Sequence, residues 1–132
     1  MIHAFFQAYK SAYTEFDAKL IGQVYDFPMT FYSEQGETLS FDEAAFNANS
    51  ERLLSMYQAL GVSQVEFEVM SETVLSDVLS LVSILWYFRD SNGKDIYQAT
   101  TRYVLKQSPA GLKIKAVFVV DETSKVAALR VG

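Results

Sequence analysis

The chain has 132 residues, 50% of them hydrophobic and 20% charged, with no cysteine and a net charge of −5. This composition implies a packed core and excludes disorder, disulfides, a thiolate nucleophile and a cysteine-held metal. The 11 basic residues are scattered, which argues against a phosphate-tracking surface and a basic membrane-binding helix, and the longest apolar run, Leu81 to Phe88, is too short to span a bilayer.

The length suits one domain, 1–132, and the beginning, MIHAFFQAYK, lacks the basic region and cleavage site of a secretory signal, so a cytoplasmic protein is expected. Ile2, Phe5, Phe6, Tyr9, Tyr13 and Phe16 recur at helical spacing and predict an amphipathic first helix. Asp17 is a cap for a second helix, with Leu20, Ile21, Val24 and Tyr25 as its buried stripe and Pro28 as its end. Met29 to Ser33 reads as a short strand, turned by Glu34-Gln35-Gly36 into a return strand from Glu37 to Leu39. Ser40 and Glu43 have the spacing of a capping box. They open a third helix with Phe46, Leu53, Tyr57 and Leu60 on one face, closed by Gly61.

From Val62 to Asp121 the pattern changes to long strands. Val65, Phe67 and Val69 alternate with Glu66 and Glu68, so one face is buried and one is wet. Val78 to Phe88 is almost continuously apolar, which calls for cover on both faces; a second copy of the chain is the simplest cover for the outer one. Ser76-Asp77, Asn92-Gly93 and the Pro109-Ala110-Gly111 segment are turn signals, so the strands form an antiparallel meander. Helices first and strands after predict an α+β fold: a curved antiparallel sheet wrapped around three N-terminal helices. The tail, 122–132, is weakly specified.

This order of elements resembles the nuclear transport factor 2-like superfamily, which includes SnoaL-like cyclases and ketosteroid isomerases. The resemblance rests on FFQAYKSAYTEFDAKLIGQVY, MTFYSEQG, the helix after SFDEA, and the meander ending AVFVVDE. It implies a cone-shaped α+β roll around an apolar pocket, and a homodimer through the outer sheet face. In ketosteroid isomerases a tyrosine on the first helix donates to the developing oxyanion, and Tyr9 stands at that place. The aspartate base falls on Ser33, with Glu34 one step on, and the second, carboxylic donor falls on Thr101. Tyr9 alone keeps its residue type, and a serine hydroxyl is too weak a base to replace a carboxylate at neutral pH.

Period-two alternation puts Tyr97, Ala99, Thr101 and Tyr103 on one face of their strand, and Ile114, Ala116, Phe118 and Val120 on one face of the last. Trp86 has the opposite parity to Arg89, which places it inside. Aromatic residues are 14% of the chain, enough both to fill a core and to line a cavity. The expected pocket is Tyr9, Tyr13, Tyr32, Trp86, Tyr97, Thr101, Tyr103 and Phe118. One histidine and no cysteine argue against a zinc site. No phosphate loop, G-x-S-x-G or H-E-x-x-H motif is present, and no cofactor is expected.

Three functions follow. The pocket holds a small apolar ligand; or it is a cofactor-free isomerase, lyase or cyclase on a cyclic ketone-like substrate, with Glu34 as base and Tyr9 as oxyanion donor; or the outer sheet face docks another protein.

Overall fold

The computed structural model describes residues 2–131. Its elements run α1 (Ile2–Thr14), α2 (Ala18–Gly22), β1 (Tyr25–Tyr32), β2 (Thr38–Phe41), α3 (Glu43–Ala59), β3 (Gln64–Val74), β4 (Leu79–Arg89), β5 (Asp95–Ser108), β6 (Gly111–Val119) and α4 (Glu122–Val131). The fold is α+β, with one six-stranded sheet in the order β2-β1-β6-β5-β4-β3.

Strands β3 to β6 form an antiparallel meander. β1 departs from the expected all-antiparallel wall: it runs parallel to β6, with Tyr32 opposite Phe118. A parallel neighbour needs a long connection rather than a hairpin, and β2, α3 and strands β3 to β5 lie between these two strands in the chain.

The N-terminal half is cut differently from its sequence pattern. Asp17 does cap α2, accepting from the Lys19 and Leu20 amides at 3.0 and 3.3 Å, but α2 stops at Gly22. Tyr25 is already strand, opposite Ile114 of β6, so sheet pairing overrides the helical spacing of Leu20 to Tyr25. Pro28 lies within β1, where the register with β6 breaks between Tyr25 and Thr30, so its missing N–H falls outside a regular ladder. Asp42, not Ser40, caps α3, accepting from the Ala45 amide at 2.8 Å; Ser40 is in β2, opposite Thr30. The tail is better specified than its sequence suggests. It forms α4, with Val126 buried.

The core lies between the helices and the concave face of the sheet. Phe6 of α1 is fully buried against Tyr103 of β5 (ring centroids 5.2 Å apart) and Trp86 of β4 (6.4 Å). Val82, Ile84, Trp86 and Phe88 fill the same layer from β4; Tyr97, Ala99, Thr101, Tyr103 and Leu105 fill it from β5. Each large apolar side chain buried in this way contributes about 1.5–3 kcal/mol. Bulges set the curvature. β3 shifts register at Met70, and β6 shifts at Lys115, where Leu105 pairs with Ile114 but Val104 with Ala116. An extra residue in one strand of a pair bends it and increases its twist.

Candidate functional site

The concave side of the sheet and α3 leave a hollow of about 70 Å3. Its floor is formed by the buried Tyr9, Tyr25, Trp86 and Tyr103. Its more exposed end is formed by the partly buried Phe41, Asn49, Leu53 and Glu122. Drug-sized ligand sites occupy about 300–1,000 Å3, so the rings themselves take up most of the cone.

Hydroxyl groups concentrate in this small space. Tyr9 and Tyr13 share a face of α1 at i and i+4, and their hydroxyls are 3.2 Å apart; Tyr25 of β1 completes the cluster by a hydrogen bond to Tyr9. Burial, and after it the neighbouring phenols, push Tyr9 well above the usual tyrosine range. Burial is also the main cause of the upward shifts of Tyr25 and Tyr103. These side chains therefore stay protonated and act as donors. Three hydroxyls carry three protons, and the two contacts within the cluster use two of them. One proton is left. Tyr103 adds another: its oxygen accepts from Trp86 Nε1 at 2.9 Å, and its own proton has no acceptor among the described residues. The Tyr9–Tyr13–Tyr25 cluster and Tyr103 thus supply one donor each without a partner among those residues.

The other polar group is a carboxylate. Glu122, in the first turn of α4, accepts from the Tyr57 hydroxyl at 2.9 Å and the Tyr97 hydroxyl at 2.8 Å, both at Oε2. No hydrogen bond to its Oε1 is present among the described residues, and none of the ion pairs there involves Glu122. Burial raises the Glu122 carboxyl above the usual carboxylate range. Hydrogen bonds from Tyr97 and Tyr57 pull it back, and the charge of Asp121 adds to the rise. The Asp121 carboxylate itself accepts from the Thr100 amide at 2.7 Å, which ties the start of α4 to β5.

The expected pocket residues divide into three groups. Tyr9, Tyr13, Trp86, Thr101 and Tyr103 line the hollow. Tyr97 stands behind the wall, where it holds Glu122. Tyr32 and Phe118 are on the convex face, stacked in parallel with centroids 4.6 Å apart. Tyr32 alternates with Phe31, which lines the hollow; for Phe118 the reason is the bulge at Lys115, which reverses the parity of β6, so Val117 and Val119 point into the hollow and Phe118 points away. Glu34 is not in the wall. Its carboxylate accepts from the Ser124 amide at 3.2 Å and from the Ser124 hydroxyl, at the beginning of α4, where a negative charge suits the free amides of a helix.

Tyr25, Tyr57 and Glu122 are wall residues that sequence reasoning misses. Tyr25, Phe27, Met29 and Phe31 do alternate, but Pro28 hides the strand. Tyr57 is legible only as a member of a helix stripe. Glu122 has no local signal, since only tertiary packing brings the tail over the cone. Among the described residues, no cluster of three His, Cys, Asp or Glu side chains stands together to hold a metal, and no helix is long and apolar enough to cross a membrane.

The fold recurs in solved structures. Aln2 from a Streptomyces species aligns with a TM-score of 0.73 at 14% identity, covering 96% of this chain and 92% of that one. A domain of unknown function with a cystatin-like fold from Nostoc punctiforme aligns with a TM-score of 0.70 at 13% identity, covering 99% and 84%. A ketosteroid isomerase-like protein from Erwinia carotovora atroseptica aligns with a TM-score of 0.61 at 14% identity, covering 89% and 90%. At such identities the likeness is one of fold alone. A comparison with curated protein sequences finds no match. The family model described as NTF2-like protein (DUF6841) matches residues 1–122, nearly the whole chain, and the chain belongs to that family.

Proposed function

We propose that the hollow binds a small, largely apolar molecule carrying an oxygen acceptor. The observation that carries this reading is the proton count at the floor: two phenolic donors without a partner among the described residues, in a space walled mostly by aromatic side chains. A buried donor without an acceptor costs about 1–3 kcal/mol, and a carbonyl or hydroxyl oxygen would remove that cost. Because the free volume is about 70 Å3, the ligand has few heavy atoms, or enters as a lining ring moves. Trp86, the only tryptophan, is in the wall. Its fluorescence, excited selectively, reports occupancy. A saturable change with small cyclic ketones or alcohols, together with a rise in melting temperature, supports the reading; a linear, solvent-like response to all of them sinks it.

A second reading, as an isomerase, lyase or cyclase, is favoured by Glu122 rather than Glu34. A carboxylate with a raised pKa, beside phenolic donors, has the parts for moving a proton next to a carbonyl. The C–H proton would pass to Glu122, the electron pair would move onto the carbonyl oxygen, and a phenol would hold the enolate until the proton returned. Exchange of deuterium into the α-position of a bound ketone, lost in Glu122→Gln, is the test.

The same proposal includes a homodimer through the convex face. Tyr32, Phe118, Leu81 and Leu85 are only partly buried there in a single chain. Light scattering at micromolar concentration distinguishes a dimer from a monomer that leaves this face for another protein.

A further inference from the structure

We propose that Glu122 selects the ligand of this hollow: it takes a neutral molecule that donates a hydrogen bond to Oε1, such as an alcohol, and turns away anions. The inference rests on the ligand-binding reading above and adds to it the polarity of the second contact.

The two oxygens of the one carboxylate differ. Oε2 is occupied by the Tyr57 and Tyr97 hydroxyls, which come from α3 and β5 on either side. These two bonds fix the carboxylate plane and leave Oε1 as the acceptor without a partner among the described residues. Glu122 is part of the wall at the more exposed end of the hollow and is only partly buried, so that oxygen is open to a molecule entering there.

Charge decides what can enter. Among the described residues, no lysine, arginine or histidine lines the hollow, so a bound anion would have nothing to neutralise it. It would also meet a like charge in a poorly solvated space, where repulsion is far stronger than in water. A ketone satisfies the phenols but offers nothing to Oε1. An alcohol, unlike a ketone, carries a proton that it can donate to Oε1. Hydrogen bonds to a charged group are the stronger kind, so this second contact dominates the choice between molecules of equal size.

Three probes of six heavy atoms each separate the alternatives: cyclopentanol, cyclopentanone and cyclopropanecarboxylate. The single tryptophan gives a single indole N–H resonance in a 15N-correlation spectrum, and that N–H is the one bonded to Tyr103 in the floor. At pH 8 cyclopentanol is expected to saturate this shift with about tenfold or greater preference over cyclopentanone, the value of one hydrogen bond to a charged acceptor. Cyclopropanecarboxylate is expected to leave the resonance in place. In Glu122→Gln the amide oxygen stays with Tyr57 and Tyr97 and an NH2 group replaces Oε1; it donates to a ketone or an alcohol oxygen alike, so the alcohol preference should vanish. Equal affinity for alcohol and ketone in the wild-type protein, or saturable binding of the carboxylate, overturns the selection by Glu122 and leaves ligand binding intact. Silence of the indole resonance toward all three overturns the ligand-binding reading and this inference together. The ranking in the wild-type protein needs no variant to fold.

Discussion

The Tyr57 hydroxyl on α3 donates to the Glu122 carboxylate on α4 at 2.9 Å, joining positions 65 residues apart. With Tyr97 donating to the same oxygen from β5, this contact fastens the C-terminal helix over the open end of the cone. It turns an otherwise surface-type residue into a wall of the hollow.

Stability should therefore depend on pH through Glu122. Burial raises its carboxyl above the unfolded value, against the pull of the Tyr97 and Tyr57 hydrogen bonds. Its other neighbours are the phenols of Tyr13 and Tyr103 and the charge of Asp121. The folded state then holds its proton to higher pH than the unfolded state, so stability falls as pH rises through the window. The contribution is complete below the unfolded value of about 4.3 and is lost as pH passes the raised folded value. Urea denaturation of the wild-type protein and Glu122→Gln across this range should show the slope in the first and its loss in the second.

Removing either phenolic donor weakens the fastening of α4. Tyr57→Phe or Tyr97→Phe deletes one hydrogen bond to a carboxylate and is expected to cost about 1.5–3 kcal/mol at pH 8. Either change should also raise the Glu122 carboxyl further, since both hydroxyls hold it down. A carbon-13 titration of the Glu122 side chain reads that second effect, which a mere packing defect would not produce.

Deleting Lys115 should be far more damaging than substituting it. The residue is the extra one in β6 that keeps Val117 facing in and Phe118 facing out. Without it, the strand beyond Ile114 reverses parity and every later side chain changes face. A loss above about 4 kcal/mol is expected, outside the range of ordinary substitutions. Lys115→Ala keeps the bulge and loses the bond to the Pro28 carbonyl (2.9 Å) and the contact with Asp26, so it should cost about 1 kcal/mol or less. Chemical denaturation of the two variants tests the contrast.

These residues also mark what the sequence can express. Where alternation runs unbroken, as in Tyr97 to Tyr103, inward and outward faces are legible. In KIKAVFVV the lysines fix the parity of the first half, and the uniformly apolar second half hides the bulge. Tyr25 reads as helix because four apolar residues at helical spacing outweigh a proline-broken strand, and pairing with Ile114 decides otherwise. Glu34 draws attention as a turn carboxylate near a family position, yet it caps α4, a helix that the sequence barely announces. The long-range contact that makes Glu122 a wall residue leaves no trace in local spacing.

The convex face offers a separate prediction. Phe118→Glu places a charge in the Tyr32–Phe118 stack without touching the hollow. Light scattering should find the wild-type protein dimeric and this variant monomeric, while the Trp86 response to cyclopentanol stays unchanged.

The most direct measurement is a crystal structure of the wild-type protein soaked in cyclopentanol. The expected result is ring-shaped density inside the cone, its oxygen within hydrogen-bond distance of Glu122 Oε1 or of the Tyr9, Tyr13 and Tyr103 hydroxyls. An empty hollow, or cyclopentanol bound only on the convex face, would contradict the account.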